Sequence, residues 1–116
     1  MQSFNTETDD ATPESADQTL IVGATDDIRP GACIRVELPN GDELAVCNVG
    51  GEFYAIENFC PHKGAPLSEG VLCGNVIECG LHGWQFDVRS GECLTVRERI
   101  KTFRVKIEEG LVKLEL

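Results

Sequence analysis

The sequence predicts an all-β domain of short antiparallel strands, and three observations favour this fold class. Apolar and polar residues alternate with a period of two in several segments, as they do in "CIRVEL", residues 33 to 38. Turn-forming residues interrupt these segments every eight to twelve positions. No segment carries the apolar stripe that an amphipathic helix needs. Together these features indicate an antiparallel sandwich or barrel.

The N-terminal half of the domain is expected to consist of hairpins. The run 33 to 38 leads into "PNGD" (39 to 42), whose Asn-Gly pair favours a tight turn. The next run, "ELAVCNV" (43 to 49), reaches the glycine pair 50 to 51 and returns as "EFYAIENF" (52 to 59).

The remaining sequence predicts a C-terminal hairpin and two loops. The alternating stretch "FRVKIE" (103 to 108) turns at Gly110 into "LVKLEL" (111 to 116). The segment "CPHKGAPLSEGV" (60 to 71) is rich in Pro and Gly and long for a connection, which is typical of a functional loop. We expect "CGNVIEC" (73 to 79) to form one strand that joins this loop to a second, glycine-rich loop.

The chain of 116 residues is predicted to hold one folded domain and a tail. Residues 1 to 19 contain five acids, no base and few large apolar side chains, so we expect a flexible acidic tail. The domain is expected to span residues 20 to 116.

Charge and hydropathy restrict the partners. The formal net charge is −10, and a polyanion repels phosphate backbones, so nucleic-acid binding is disfavoured and a protein with a basic docking face is favoured. Solubility alone would also explain the charge. No apolar run approaches the ~18 residues of a membrane span, and no signal-peptide layout is present, so we expect no membrane partner and a cytoplasmic location.

Six cysteines in a cytoplasmic chain indicate metal ligands or buried thiols rather than a disulfide framework. Four of them lie in strand-like segments with no histidine nearby, and we expect them to be small, buried, reduced core residues. They are Cys33, Cys47, Cys73 and Cys93.

The other two cysteines lie just before the only two histidines of the chain. Cys60 precedes His62 by two positions, and Cys79 precedes His82 by three. Thiolates and imidazoles bind zinc, copper or iron–sulfur clusters rather than calcium or magnesium. Because each half-motif is mixed, the pattern favours two neighbouring metals, one held by the cysteines and one by the histidines.

These motifs resemble a known signature. The segments "CPH" (60 to 62) and "CGLHGW" (79 to 84), with sixteen residues between His62 and Cys79, resemble the signature of Rieske-type [2Fe–2S] ferredoxins. The flanking text, "FYAIENFCPHKGAPLSEGVL" and "IECGLHGWQFDVRSGEC", looks like the ferredoxin components of bacterial ring-hydroxylating dioxygenase systems. The likeness extends from about residue 20 to the C-terminus.

The resemblance implies a Rieske fold of three small antiparallel sheets, with one [2Fe–2S] cluster at the tip of two loops. Cys60 and Cys79 would bind the inner iron, and His62 and His82 the outer, solvent-facing iron. Four glycines would let the backbone bend around the cluster sulfurs and aim N–H groups at them: Gly64, Gly70, Gly80 and Gly83.

High-potential members of this family carry an extra disulfide at the cluster and hydroxyl donors from Ser and Tyr. Here Ala65 and Leu81 occupy the disulfide positions, and Trp84 and Phe86 replace the hydroxyl side chains. Fewer donors stabilise the reduced cluster less, so the resemblance implies a potential near the low end of the Rieske range, about −150 mV. The segment 94 to 103 lacks the prolines that many members have, which suggests a looser cover or a different partner.

The implied function is one-electron transfer from an NADH-dependent flavoprotein reductase to a terminal ring-hydroxylating oxygenase, with no catalytic residue on this chain. The alternative is the Rieske-type small subunit of an assimilatory nitrite reductase. A Rieske oxygenase would need a further iron held by two histidines, and none remain. A further alternative is a zinc module with no redox role. Such a protein would be colourless, whereas an oxidised Rieske protein is red-brown.

Overall fold

The structure is a computed structural model that describes residues 19–61, 64–80 and 83–116. Within these ranges the chain forms nine strands and two short 3₁₀ helices and contains no α-helix, so the predicted all-β class is confirmed. No helix in the described ranges is long and apolar enough to cross a membrane. The predicted acidic tail lies outside the described residues, apart from Thr19, which opens the first strand.

The strands are β1 (Thr19–Ala24), β2 (Cys33–Glu37), β3 (Glu43–Val49), β4 (Glu52–Glu57), β5 (Val71–Cys73), β6 (Val76–Glu78), β7 (Gln85–Asp87), β8 (Thr102–Glu108) and β9 (Leu111–Glu115). The 3₁₀ helices are Thr25–Asp27 and Leu67–Glu69.

The strands form three antiparallel groups, two of which share a strand. One sheet has the order β1-β9-β8-β4-β3-β2, and a second has the order β5-β6-β7. In the larger sheet β8 pairs with β4 through Thr102 and Phe103, and with β9 through residues 104 to 108. The three small sheets that the resemblance implied are therefore present, with two of them fused through β8.

The predicted hairpins form where the turn residues place them. In the turn between β2 and β3, Leu38 N–H donates to the Asp42 carbonyl at 2.7 Å and Gly41 N–H donates to the Leu38 carbonyl at 2.9 Å. Gly41 has a φ of +94°, which a residue with a side chain rarely adopts. The β3–β4 and β8–β9 hairpins turn at the expected glycines, Gly50 and Gly110.

The prediction of one strand over residues 73 to 79 is wrong. β5 ends at Cys73, a two-residue turn at Gly74 and Asn75 follows, and β6 returns antiparallel to it. Gly74 has a φ of +60°, and Gly-Asn is one of the pairs that favour such tight turns. This hairpin supplies two of the three strands that support the second cluster loop.

Two apolar cores lie on opposite faces of β3. Leu44 and Val46 belong to a core that also contains the β9 residues Val112 and Leu114. The alternate β3 residues, Ala45 and Cys47, belong to a second core that continues into the three-stranded sheet through Ile77 and Phe86. A strand buried on both faces reads as a nearly continuous apolar run, as "LAVC" does in β3.

The interpretation of four buried, reduced cysteines is wrong at three positions. Cys33 and Cys47 form a disulfide between β2 and β3, because they face each other in the strand register with a Cα–Cα distance of 4.1 Å. Cys73 is exposed at the end of β5. Cys93 is half-buried against the second core, as a small apolar residue would be. The disulfide depends on which residues of β2 and β3 face each other, and the separate sequence contexts of the cysteines do not indicate this pairing.

Candidate metal centre

The first predicted cluster loop is a closed hairpin loop. Phe59 and Pro66 form an isolated β-bridge across its base. Inside that bridge, Cys60 N–H donates to the Ala65 carbonyl at 2.8 Å, and Gly64 N–H donates to the Cys60 carbonyl at 2.7 Å. The backbone on both sides of Cys60 is therefore fixed from within the loop.

The second predicted cluster loop repeats this construction. Glu78 of β6 pairs with Gln85 of β7 at its base. Cys79 N–H donates to the Trp84 carbonyl at 2.7 Å, and Gly83 N–H donates to the Cys79 carbonyl at 3.0 Å. In each loop the two paired residues at the base are seven positions apart, and the cysteine directly follows the first of them.

The common element of the two loops is a glycine four positions after the cysteine. Gly64 has a φ of +73° and Gly83 a φ of +71°, a left-handed conformation in which glycine is favoured. The pattern Cys-x3-Gly occurs at both places in the sequence and would have indicated the matched loops. The histidine follows the cysteine by two positions in the first loop and by three in the second, so the two motifs do not look identical in the sequence.

Both loop cysteines are withdrawn from water. Cys60 and Cys79 are each 1% exposed and belong to the second core, with Leu67, Ile77 and Phe86. Buried cysteine sulfurs on two matched loops are soft ligands suited to an iron–sulfur cluster. The other two predicted ligands, His62 and His82, lie outside the described residues. The Cys, Asp and Glu side chains within the described ranges form no group of three that could hold a metal.

The four glycines predicted around the cluster have different roles. A Cβ on Gly70 would overlap the Glu78 carbonyl oxygen, so Gly70 is needed for the close approach of the two loops. A Cβ on Gly80 would lie 3.8 Å from the Glu69 carbonyl oxygen, an ordinary contact. The N–H groups of Gly64, Gly70 and Gly83 donate to backbone carbonyls, so the predicted aim of these three at cluster sulfurs is not found.

Asn58 fastens the first loop to the sheet, and sequence reasoning did not single it out. It is fully buried, its Oδ1 accepts from Ser68 N–H at 2.7 Å, and its Nδ2 donates to Glu43 Oε1 at 3.4 Å. Its main chain also bonds Glu43 and Leu67. Asn58 therefore ties the entry of the loop to the 3₁₀ helix that follows its exit and to β3.

Two aromatic residues pack beside the second loop. Phe86 is fully buried, and Trp84 is half-buried against the same core. A third loop, residues 94 to 98, is held against β7 because Leu94 N–H donates to the Gln85 carbonyl at 2.7 Å and Gln85 N–H donates to Thr95 Oγ1 at 3.1 Å. This loop is part of the segment 94 to 103 that the resemblance suggested as a cover of the cluster; it lacks prolines and is hydrogen-bonded to the base of the second loop.

The far end of the three-stranded sheet holds the most perturbed carboxyl group. Hydrogen bonds from the Arg89 guanidinium lower the pKa of Asp87 to about 2. Asn75 Nδ2 also donates to Asp87 at 3.2 Å. Since Asp87 ends β7 and Gln85 begins it, this cluster of polar residues stabilises the sheet away from the cysteine loops.

Comparison with known proteins identifies the family. The sequence model of the Rieske [2Fe–2S] domain matches residues 18–105. The chain belongs to the Rieske [2Fe–2S] family. Its cofactor is accordingly one Rieske-type [2Fe–2S] cluster, and the described residues fit such a group, because two buried cysteines stand at the same position of two matched loops.

Relatives and solved structures agree with this assignment. The chain is 38% identical over 108 residues to the ferredoxin component of the p-cumate 2,3-dioxygenase system of Pseudomonas putida, covering 89% of this chain and 92% of that one. A chain in the solved complex of reduced oxygenase and oxidized ferredoxin of carbazole 1,9a-dioxygenase matches at a TM-score of 0.79 and 40% identity, covering 84% of this chain and 92% of that one. The predicted resemblance to Rieske ferredoxins is confirmed.

A nitrite reductase subunit shares the fold. A Mycobacterium tuberculosis chain described as an NADH-dependent nitrite reductase small subunit matches at a TM-score of 0.78 and 22% identity, covering 84% of this chain and 94% of that one. At this identity the match shows the fold alone.

Proposed function

We propose that this chain is a one-electron carrier that takes electrons from an NADH-dependent flavoprotein reductase and gives them to a terminal ring-hydroxylating oxygenase in the cytoplasm. The observation that carries the proposal is the pair of matched loops with buried cysteines, in a chain related to the ferredoxin components of dioxygenase systems. No residue of this chain acts on a substrate.

We assign Cys60 and Cys79 as ligands of one iron and His62 and His82 as ligands of the other. When bound, the cluster accepts and releases a single electron. The loop hydrogen bonds fix the main chains of the two cysteines, and the packing of Ile77 and Phe86 excludes water from the sulfur ligands. Imidazole ligands in place of two thiolates raise the potential above that of plant-type ferredoxins.

Residues 20 to 116 form the functional domain in this proposal. The absence of hydroxyl side chains at Trp84 and Phe86 supports a low potential, about −150 mV within the Rieske range. The acidic character of the chain supports docking to basic faces of both redox partners, so added salt should slow transfer. Nucleic acid and membranes are not partners.

The nitrite reductase alternative has weaker support. The nitrite reductase small subunit is 22% identical to this chain, which shows a shared fold only. The ferredoxin components of dioxygenase systems are 38% to 44% identical to this chain.

Reconstitution with purified components tests the function. NADH, the flavoprotein reductase and the terminal oxygenase of the naphthalene, p-cumate and carbazole dioxygenase systems would be combined with this chain in place of each native ferredoxin. We expect NADH-dependent hydroxylated product with at least one oxygenase. The proposal is wrong if the iron-loaded chain supports none of the three while each native ferredoxin supports its own.

A further inference from the structure

The carboxylate of Glu78 lies against the second loop. Glu78 is the last residue of β6 and directly precedes the proposed ligand Cys79. Its Oε2 lies 3.7 Å from the position that a Cβ on Gly83 would occupy. Gly83 directly follows the proposed ligand His82 in the chain, so the carboxylate stands one residue away from each of the two ligands that this loop supplies.

A neighbouring strand holds this carboxylate in place. Gln85 of β7 pairs with Glu78 in the sheet, and Gln85 Nε2 donates to Glu78 Oε1 at 3.2 Å. Side chains at directly paired positions lie on the same face of a sheet, which allows this bond to form. One oxygen of the carboxylate is therefore held by β7, and the other lies beside Gly83.

Within the described ranges no base neutralises Glu78. The residue is exposed and belongs to none of the six ion pairs formed there. Its two partners in the sheet, Val71 and Gln85, are uncharged. Glu78 therefore brings an uncompensated negative charge to the base of the second loop.

A fixed negative charge beside a redox centre lowers the reduction potential of that centre. Reduction adds one electron to the cluster, and a nearby carboxylate repels the added charge. The repulsion raises the free energy of the reduced state relative to the oxidised state. Because Glu78 is exposed, water and salt screen the repulsion, so the effect is moderate and depends on ionic strength.

We propose that Glu78, positioned by Gln85, lowers the reduction potential of the [2Fe–2S] cluster. This inference rests on the proposed function, since it takes the second loop to hold the cluster. The charge acts in the same direction as the missing hydroxyl side chains at Trp84 and Phe86 but is a separate cause. A lower potential favours release of the electron to the oxygenase and disfavours its uptake from the reductase.

The role of the charge is tested by the midpoint potential of the cluster-loaded protein, measured by spectroelectrochemistry at neutral pH and low salt. Glu78→Gln removes the charge and can still accept the hydrogen bond from Gln85. We expect it to raise the equilibrium constant for reduction about threefold, as for charges coupled across a protein surface, which is about 28 mV for a one-electron couple. Glu78→Lys should raise this constant about ninefold, because it changes the charge by twice as much.

The matched control changes an exposed carboxylate far from the loops. Asp26 is exposed, and the preceding residue, Thr25, donates its N–H to the Gly110 carbonyl at 2.8 Å, at the β8–β9 turn. Strand β8 leads from its pairing with β4 at Thr102 to this turn, and its seven residues span about 20 Å. Asp26→Asn and Asp26→Lys change the net charge by the same amounts and should leave the potential unchanged.

The positioning role of Gln85 is tested by Gln85→Leu, which keeps the charge of Glu78 but removes the donor that holds it. The potential should rise by less than in Glu78→Gln, because the carboxylate is no longer held beside Gly83. In the double variant Glu78→Gln/Gln85→Leu the potential should equal that of Glu78→Gln, since Gln85 acts only through the charge. An unchanged potential in Gln85→Leu would show that Gln85 does not position Glu78.

Ionic strength separates an effect of charge from an effect of structure. The Debye length falls to about 3 Å at 1 M salt, so the difference between wild type and Glu78→Gln should fall there to less than half its low-salt value. Visible and EPR spectra should be those of wild type in every variant. A shift that persists at high salt, or that is no larger in Glu78→Lys than in Glu78→Gln, would assign the effect to altered loop structure and overturn the proposal.

The outcomes separate this inference from the proposed function. If the wild-type chain passes electrons to an oxygenase but both Glu78 variants keep the wild-type potential, the role of Glu78 is wrong and the function stands. If the variants shift as expected but the wild-type chain supports none of the oxygenases, the function is wrong and the role of Glu78 stands. If the iron-loaded chain holds no Rieske cluster, both proposals fail.

Discussion

The substitution Asn58→Ala tests whether one buried amide fixes the first cluster loop. It removes the acceptor of Ser68 N–H, a 2.7 Å bond, and the longer 3.4 Å bond to Glu43. A buried donor left without a partner costs about 1–3 kcal/mol, and the void left by the amide adds to this. We therefore expect the free energy of unfolding to fall by about 3 kcal/mol.

The assay is anaerobic urea unfolding of the cluster-loaded protein, followed in parallel by far-ultraviolet circular dichroism and by visible absorbance of the cluster. Because Asn58 lies two positions before Cys60, the visible signal should be lost at lower urea than in wild type. We call the two side-chain hydrogen bonds of Asn58, to Ser68 and Glu43, the clamp. A change in unfolding free energy below about 0.5 kcal/mol would refute its role in fixing the loop.

Asn58→Asp separates the two bonds of the clamp. The new carboxylate can still accept from Ser68 N–H, but it faces the Glu43 carboxylate inside the protein, which should raise its own pKa above about 4 in the folded state. A raised pKa means that the variant is close to wild type below pH ~4 and loses stability as the pH rises. A pH-independent difference from wild type would contradict this account.

Three further predictions concern the fold around the site. Gly70→Ala should lower the free energy of unfolding by about 3 kcal/mol and broaden the EPR signal, because the new Cβ meets a carbonyl oxygen. Gly80→Ala should change the free energy of unfolding by less than about 1 kcal/mol, and equal effects of the two variants would exclude the steric cause. Thiol titration of the denatured apoprotein should find four thiols rather than six, and Cys33→Ala/Cys47→Ala should lower stability by up to about 3 kcal/mol; six thiols would show that the disulfide is absent. The pKa of Asp87 is lowered to about 2, so the ionised carboxylate stabilises the fold above pH ~4 by about 1 kcal/mol, and this contribution is lost between pH ~4 and ~2. Asp87→Asn should remove that part of the acid unfolding transition, and an unchanged acid unfolding profile would count against this role of Asp87.

The sequence alone predicted the strands that carry local signals. Period-two alternation and Gly-containing turns predicted the hairpins at Gly41, Gly50 and Gly110, because in each case the turn residue and the flanking strands are neighbours in sequence. The β5–β6 hairpin was missed because its strands have only three residues each, too few for a period to be visible around Gly74 and Asn75.

Features that depend on register or on close packing were not predicted. The Cys33–Cys47 disulfide requires knowing which residues of β2 and β3 face each other. The clamp at Asn58 joins positions ten and fifteen residues apart through a side chain that looks like an ordinary loop amide in the sequence. The ligand motif was recognisable because cysteine and histidine are rare and their chemistry restricts what they can bind.

The central claim is that two imidazoles bind one iron of the cluster, and His62 and His82 are the only histidines of the chain. Pulsed EPR of the dithionite-reduced protein, grown once with natural-abundance histidine and once with ¹⁵N-histidine, tests this directly. The account predicts strong nitrogen couplings from two ligands, all converted from ¹⁴N to ¹⁵N by the label. A reduced cluster whose spectrum is unchanged by the label would contradict it.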